Sequence, residues 1–233
     1  MSTRQQRLDD FLHSQIIGIS VSQDSLEAAQ ACLATGFNDK KINLNFPNGN
    51  HFTKWAIPAS ILFTNAFEIF LNEIVSYFHF EEIISLEEKA NIAASSVFKK
   101  LQRIQNLLNL PTQNVTTAQL VELKLALELR NDLIHYFPRI KFTDNVNSEL
   151  DKKGLLIPNN VAGRKHASYL LSKWVAETII KVVKTLGDDI AHYFLLVGKS
   201  RSLAASGLEV LKANFTETKL PTEELFFAVK FFA

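Results

Sequence analysis

The chain has 233 residues, 25 Lys and Arg against 24 Asp and Glu, a formal net charge of +1 and 47% hydrophobic residues. That is a globular composition of one-domain size, and its near-neutral balance excludes a protein that lives on non-specific nucleic-acid binding while leaving room for a small local site. Glycine (8) and proline (6) are too scarce for a turn-dense all-β fold, and the single Cys32 excludes an intrachain disulfide or a cysteine-based zinc site.

The first twenty residues carry Arg4, Arg7, Asp9 and Asp10 without a long apolar run, which reads as no secretory signal. Residues 22–35 pattern as a short amphipathic helix closed by Gly36. A polar connector follows over 38–51. Within it Lys41-Ile42-Asn43-Leu44-Asn45-Phe46 alternates strictly into Pro47-Asn48-Gly49, a strand entering a turn, so a small β-hairpin is expected near 41–52. A long helix is predicted from Thr53 to Phe78, with Pro58 tolerated in its first turns. Its apolar stretch is interrupted by Asn65, Glu68, Asn72, Glu73 and His79, and the charge-free run Trp55–Phe67 is too short to span a bilayer. Ser85 and Glu88 form a capping box that starts a third helix running to Leu108.

Thr116 and Gln119 form a second capping box, and the helix after it should run to Phe137, stopped by Pro138. Thr143–Gly163 is polar and reads as a long surface loop. Helical spacing returns over Arg164–Leu186, with Gly187 as a cap or kink and an apolar continuation over Ile190–Val197. Ser202–Leu211 and Thr222–Phe232 pattern as shorter helices. The expected fold class is therefore all-α: an antiparallel helical bundle with extra C-terminal helices. Residues 1–52 should pack, as helix and connector, on a bundle made by 53–233, in a single domain. The 53–78 and 116–137 helices should share a core of Phe67, Phe70, Ile74, Leu123, Leu127 and Ile134.

The chemistry-bearing segment is Leu129-Arg130-Asn131-Asp132-Leu133-Ile134-His135-Tyr136. It sets a permanent planar cation suited to phosphate beside an imidazole that titrates near neutrality. At about 100° per residue, Lys124, Glu128, Asn131, Asp132 and His135 share one polar face, while Arg130 and His135 diverge by about 140°. Convergence on one phosphate then needs a bent helix end, a long reach by the arginine, or a second subunit. Glu68 lies in a polar stripe with Asn65 and Asn72, and a buried carboxylate there would need a partner, for which Arg130 is a candidate. The clusters Phe98–Arg103 and Arg164–His166 read as solvated basic faces, and His13, His51, His79 and His192 as structural. Glycine-rich phosphate loops, nucleophile elbows and paired-histidine metal motifs are absent from the sequence, so no cofactor and no metal is expected.

The segment from Arg130 to His135 resembles the arginine-polar-x3-histidine signature of HEPN-domain proteins, all-helical domains of bacterial defence and toxin–antitoxin systems, many of them RNases. Arg130, Asn131 and His135 match the signature, and Ala66–Glu73 looks like the first core helix of such domains. The resemblance implies a cytoplasmic, metal-independent endoribonuclease, a toxin or abortive-infection component, with RNA as substrate. His135 would act as base, Arg130 would stabilise the phosphorane, and Asn131 would orient one or the other, with Glu68, Asp132 and Tyr136 in support. It also implies a homodimer with the two motifs near its axis and an antitoxin protein as partner, with neither membrane binding nor DNA sequence recognition. In one toxin branch a tyrosine two residues after the histidine is modified by a partner nucleotidyltransferase; here that position is Phe137, and the tyrosine is Tyr136. The alternative reading is a non-catalytic helical RNA-binding or protein-interaction module. The Phe226–Phe232 segment would either add a second dimer contact or pack on its own bundle.

Overall fold

The computed structural model describes residues 6, 22, 24–35, 50–110, 114–134, 144–158, 165–167, 169–218 and 220. Helix α1 covers residues 24–35. It is followed by α2 (Asn50–Phe80), α3 (Leu86–Ala93), α4 (Val97–Leu108), α5 (Thr117–Ile134) and α6 (Asp144–Lys152). A two-stranded antiparallel ladder, β1 (Leu156–Pro158) and β2 (Lys165–Ala167), precedes α7 (Tyr169–Leu196) and α8 (Leu203–Thr216). The described fold is all-α apart from this ladder, which pairs Leu156 with Ala167 and Pro158 with Lys165.

Helix α2 is the centre of the bundle. Phe63, Phe67, Phe70, Ile74, Tyr77 and Phe78 are all buried, on more than one side of the helix, because α7, α5, α8, α3 and α4 surround it. The phenylalanine content goes into ring contacts between layers. Phe70 meets Phe215 of α8 at 5.4 Å, and Phe78 meets Phe194 of α7 at 6.2 Å between centroids. Such tilted pairs add about 0.5–1.5 kcal/mol each beyond the area they bury. Five of the six side chains expected in the α2–α5 core are buried; Ile134 is 47% exposed because it sits on the last turn of α5.

Both capping boxes form. Ser85 N donates to Glu88 Oε2 at 2.8 Å while Glu88 N donates to Ser85 Oγ at 3.1 Å, and Thr116 N donates to Gln119 Oε1 at 2.8 Å. Five sequence expectations are corrected. The helix expected from Arg164 starts at Tyr169, because Lys165–Ala167 forms β2. The single helix from 85 to 108 is two, α3 and α4, with Ser96 at the N-cap position of the second but without a side-chain capping bond. The 143–163 loop contains α6, a polar helix held by only two buried anchors, Val146 and Leu150, one turn apart, and then β1. Residues 50–52 belong to α2 rather than to a hairpin; residues 41–49 lie outside the described ones, and the strand pair that is described falls at 156–167. Gly187 neither caps nor ends a helix, since α7 runs through it. A Cβ there would stand 2.6 Å from Lys212 Cδ, so the glycine lets the Lys212 stem of α8 lie across α7 on its way to Asp188. The predicted 222–232 helix lies outside the described residues.

Asp189 of α7 is 1% exposed. It accepts from Asn114 N at 3.2 Å and from Asn114 Nδ2 at 2.5 Å, pinning the connector ahead of α5. Burial pushes its carboxyl above the ordinary value, with the Asn114 and Val115 hydrogen bonds pulling the other way. Between the ordinary and the raised value the folded chain keeps a proton that the unfolded chain has lost. The Asp189 contribution to stability therefore falls as pH rises through that window and recovers below it. Urea unfolding of wild type and Asp189→Asn should show wild type gaining on the variant as pH drops from 7 toward 4. A constant difference across that range would contradict this assignment.

Candidate functional site

Arg130 stands inside the buried stripe of α5. Its neighbours on that face, Leu123, Ala126, Leu127 and Leu133, are all buried. A guanidinium in such a position needs a partner, and α2 supplies one. Arg130 Nη2 lies 3.3 Å from Glu68 Oε2. The other oxygen of the same carboxylate is taken by α4, where Lys100 Nζ donates to Glu68 Oε1 at 2.9 Å. Three helices thus meet at one carboxylate held between two cations.

Lys100 is the residue that sequence reading misplaced. The sequence pattern assigns it to a solvated basic face, yet its side chain is 3% exposed, against 28% for Glu68 and 21% for Arg130. The signal was present: Val97, Leu101, Ile104 and Leu108 define the buried face of α4, and Lys100 falls among them. Its neighbours Lys99 and Arg103 are exposed, as expected.

Among the described residues the cluster joins two cations to one carboxylate, one positive charge in excess. Asn65 and Asn72 stand one turn to either side of Glu68 on α2. Asn65 Oδ1, Asn72 Oδ1 and Arg130 Nε are buried without a hydrogen-bond partner among the described residues. Orphaned groups of this kind mark a place where polar capacity is left over. Of the three, only the Arg130 Nε–H is a donor that suits an anion's oxygen; the two asparagine oxygens are acceptors and call for a donor.

The remaining expected site residues separate. Asn131 is exposed and Asp132 half-buried, since each step of about 100° carries the side chain out of the stripe that holds Arg130. His135 and Tyr136 lie outside the described residues, just beyond the end of α5 at Ile134. Among the described residues no three His, Cys, Asp or Glu side chains converge as a metal-ligand set, and no helix is long and apolar enough to cross a membrane. The chain matches no protein-family model, no curated protein and no solved structure.

Proposed function

We propose that this chain is a HEPN-like, metal-independent endoribonuclease whose working residues are Arg130 and His135. The observation that carries the proposal is the arginine itself: anchored to the core through one Glu68 oxygen, with Nε unpartnered among the described residues, on the helix turn that leads to His135. A held arginine loses little freedom when it meets a phosphate, and its fixed positive charge stabilises the phosphorane oxygens as they form. In the proposed reaction His135 takes the proton from a ribose 2′-hydroxyl. The 2′-oxygen attacks the adjacent phosphorus, the P–O5′ bond breaks, and the 5′-oxygen leaves with a proton. The products are a 2′,3′-cyclic phosphate and a 5′-hydroxyl, with no metal or cofactor in the step. General-base catalysis contributes roughly two to four orders of magnitude.

The reading extends to a homodimer that brings two Arg130–His135 segments to one groove, acting in the cytoplasm as a toxin or abortive-infection component restrained by an antitoxin protein. Two-fold pairing would bring a second arginine and histidine to a site that a single regular helix leaves divergent. One observation favours the alternative, a non-catalytic helical RNA-binding or interaction module: the Glu68 contact gives Arg130 a purely structural reason to exist. Digestion of RNA by wild type beside His135→Ala separates the two. The nuclease reading expects a loss of two to four orders of magnitude in the variant, and no cleavage at a position carrying a 2′-deoxy sugar. Equal cleavage by the variant, or cutting at the deoxy position, would overturn it.

A further inference from the structure

We infer that Lys100 and Glu68 are positioning residues for Arg130, and that Lys100 balances the Glu68 charge so that the arginine is aimed at a phosphate group without being neutralised. The inference rests on the proposed nuclease reading for its substrate class, but its geometry is independent of it.

A carboxylate that anchors an arginine ordinarily competes with any anion the arginine is to bind. One Glu68 facing one Arg130 would sum to zero, and an incoming phosphate would have to displace the carboxylate. The third charge changes the balance. Lys100 takes Oε1 at 2.9 Å and Arg130 takes Oε2 at 3.3 Å, so each cation has its own oxygen and the closer contact belongs to the lysine. Lys100 is too buried, at 3% exposure, to meet an RNA strand itself. Its charge therefore acts without contact, by offsetting that of Glu68. The division of labour follows the chemistry of the two cations. Lysine is a compact charge on an apolar stem, and Lys100 shares the buried face of α4 with Ile104, whereas arginine has a planar fork of five donors that fits phosphate oxygens. Nε is buried and unpartnered among the described residues, so a phosphate would meet the partly exposed part of the side chain, which is 21% exposed.

The test uses the full chain, labelled with nitrogen-15 and titrated with inorganic phosphate while the Arg130 Nε–H resonance is followed. Removing a balancing charge a few ångströms from the binding group should weaken phosphate binding in Lys100→Met about tenfold. Lys100→Arg should restore it. The decisive variant is the pair Glu68→Gln with Lys100→Met, which removes the anion and its balance together. Replacing a buried ion pair by uncharged groups of similar size is commonly tolerated, and the amide oxygen of Glu68→Gln still accepts from the Arg130 guanidinium and holds it in place, so this protein should fold, and its phosphate affinity should return to within about threefold of wild type. A merely structural Lys100 predicts the opposite, a double variant at least as weak as the single one. That result, or a wild-type Arg130 resonance that phosphate leaves unmoved, overturns the inference. If the double variant recovers phosphate but wild type cuts no RNA, the positioning role stands and the nuclease reading falls. If wild type cuts RNA and Lys100→Met changes neither phosphate affinity nor KM, the nuclease reading stands and the positioning role falls.

Discussion

Arg130→Ala is expected to lower RNA cleavage by about two to three orders of magnitude, the range found on removing one preorganised donor from a developing oxyanion, while the fold survives. Survival follows from the ion-pair arrangement. With the arginine gone, Glu68 keeps its 2.9 Å contact with the buried Lys100, so no charge is left unpaired in the core. What is lost is a side chain already 21% exposed, and the partial exposure limits the stability cost to about 1 kcal/mol. At roughly 2–4 °C per kcal/mol for a chain of this size, the midpoint should fall only a few degrees. Cleavage at wild-type rate by a folded Arg130→Ala protein would remove the arginine from the chemistry. A variant that collapses would show that the arginine serves the fold first.

Gly207→Ala should be the most damaging small substitution among the described residues that bear on packing. A Cβ on Gly207 would overlap the hydroxyl and ring edge of Tyr77, which is 1% exposed in the last turn of α2. Two effects oppose each other. Alanine is the better helix former by about 1 kcal/mol. Overpacking a buried ring that cannot swing into solvent costs about 3 kcal/mol, the upper end of the usual range. Packing wins by about 2 kcal/mol, so thermal unfolding should shift down by about 4–8 °C. An unchanged or raised midpoint would mean that α8 is free to slide away from Tyr77. The physical reading of Gly207 is therefore close approach of two helices, not flexibility.

How much of this was legible in the sequence depended on whether the signal was local. The capping boxes at Ser85–Glu88 and Thr116–Gln119 were legible because a cap is a contact between residues three apart. The apolar face of α2 and most of that of α5 were legible because burial follows the helical period. Helix α6 was not, because Val146 and Leu150 alone carry it against a polar background, and their burial is a tertiary fact. Gly187 was misread for the same kind of reason: what decides its role is Lys212 in another helix. The pairing of Glu68 with Arg130 was suggested by the need of an intruding carboxylate for a partner, and the structure places them together. Lys100 was missed because its cluster was read as a run of charges rather than by helical position. Two neighbours in that run, Lys99 and Arg103, are indeed solvated, and only the wheel separates Lys100 from them.

The central claim is that Arg130 and a nearby base cut RNA by internal attack without a metal, and the direct measurement is the chemistry of the new ends. A defined RNA incubated with the full chain in EDTA should yield 2′,3′-cyclic phosphates and 5′-hydroxyls, at the same rate as without the chelator. Products bearing 3′-hydroxyls and 5′-phosphates, or cleavage that stops in EDTA, would contradict the account.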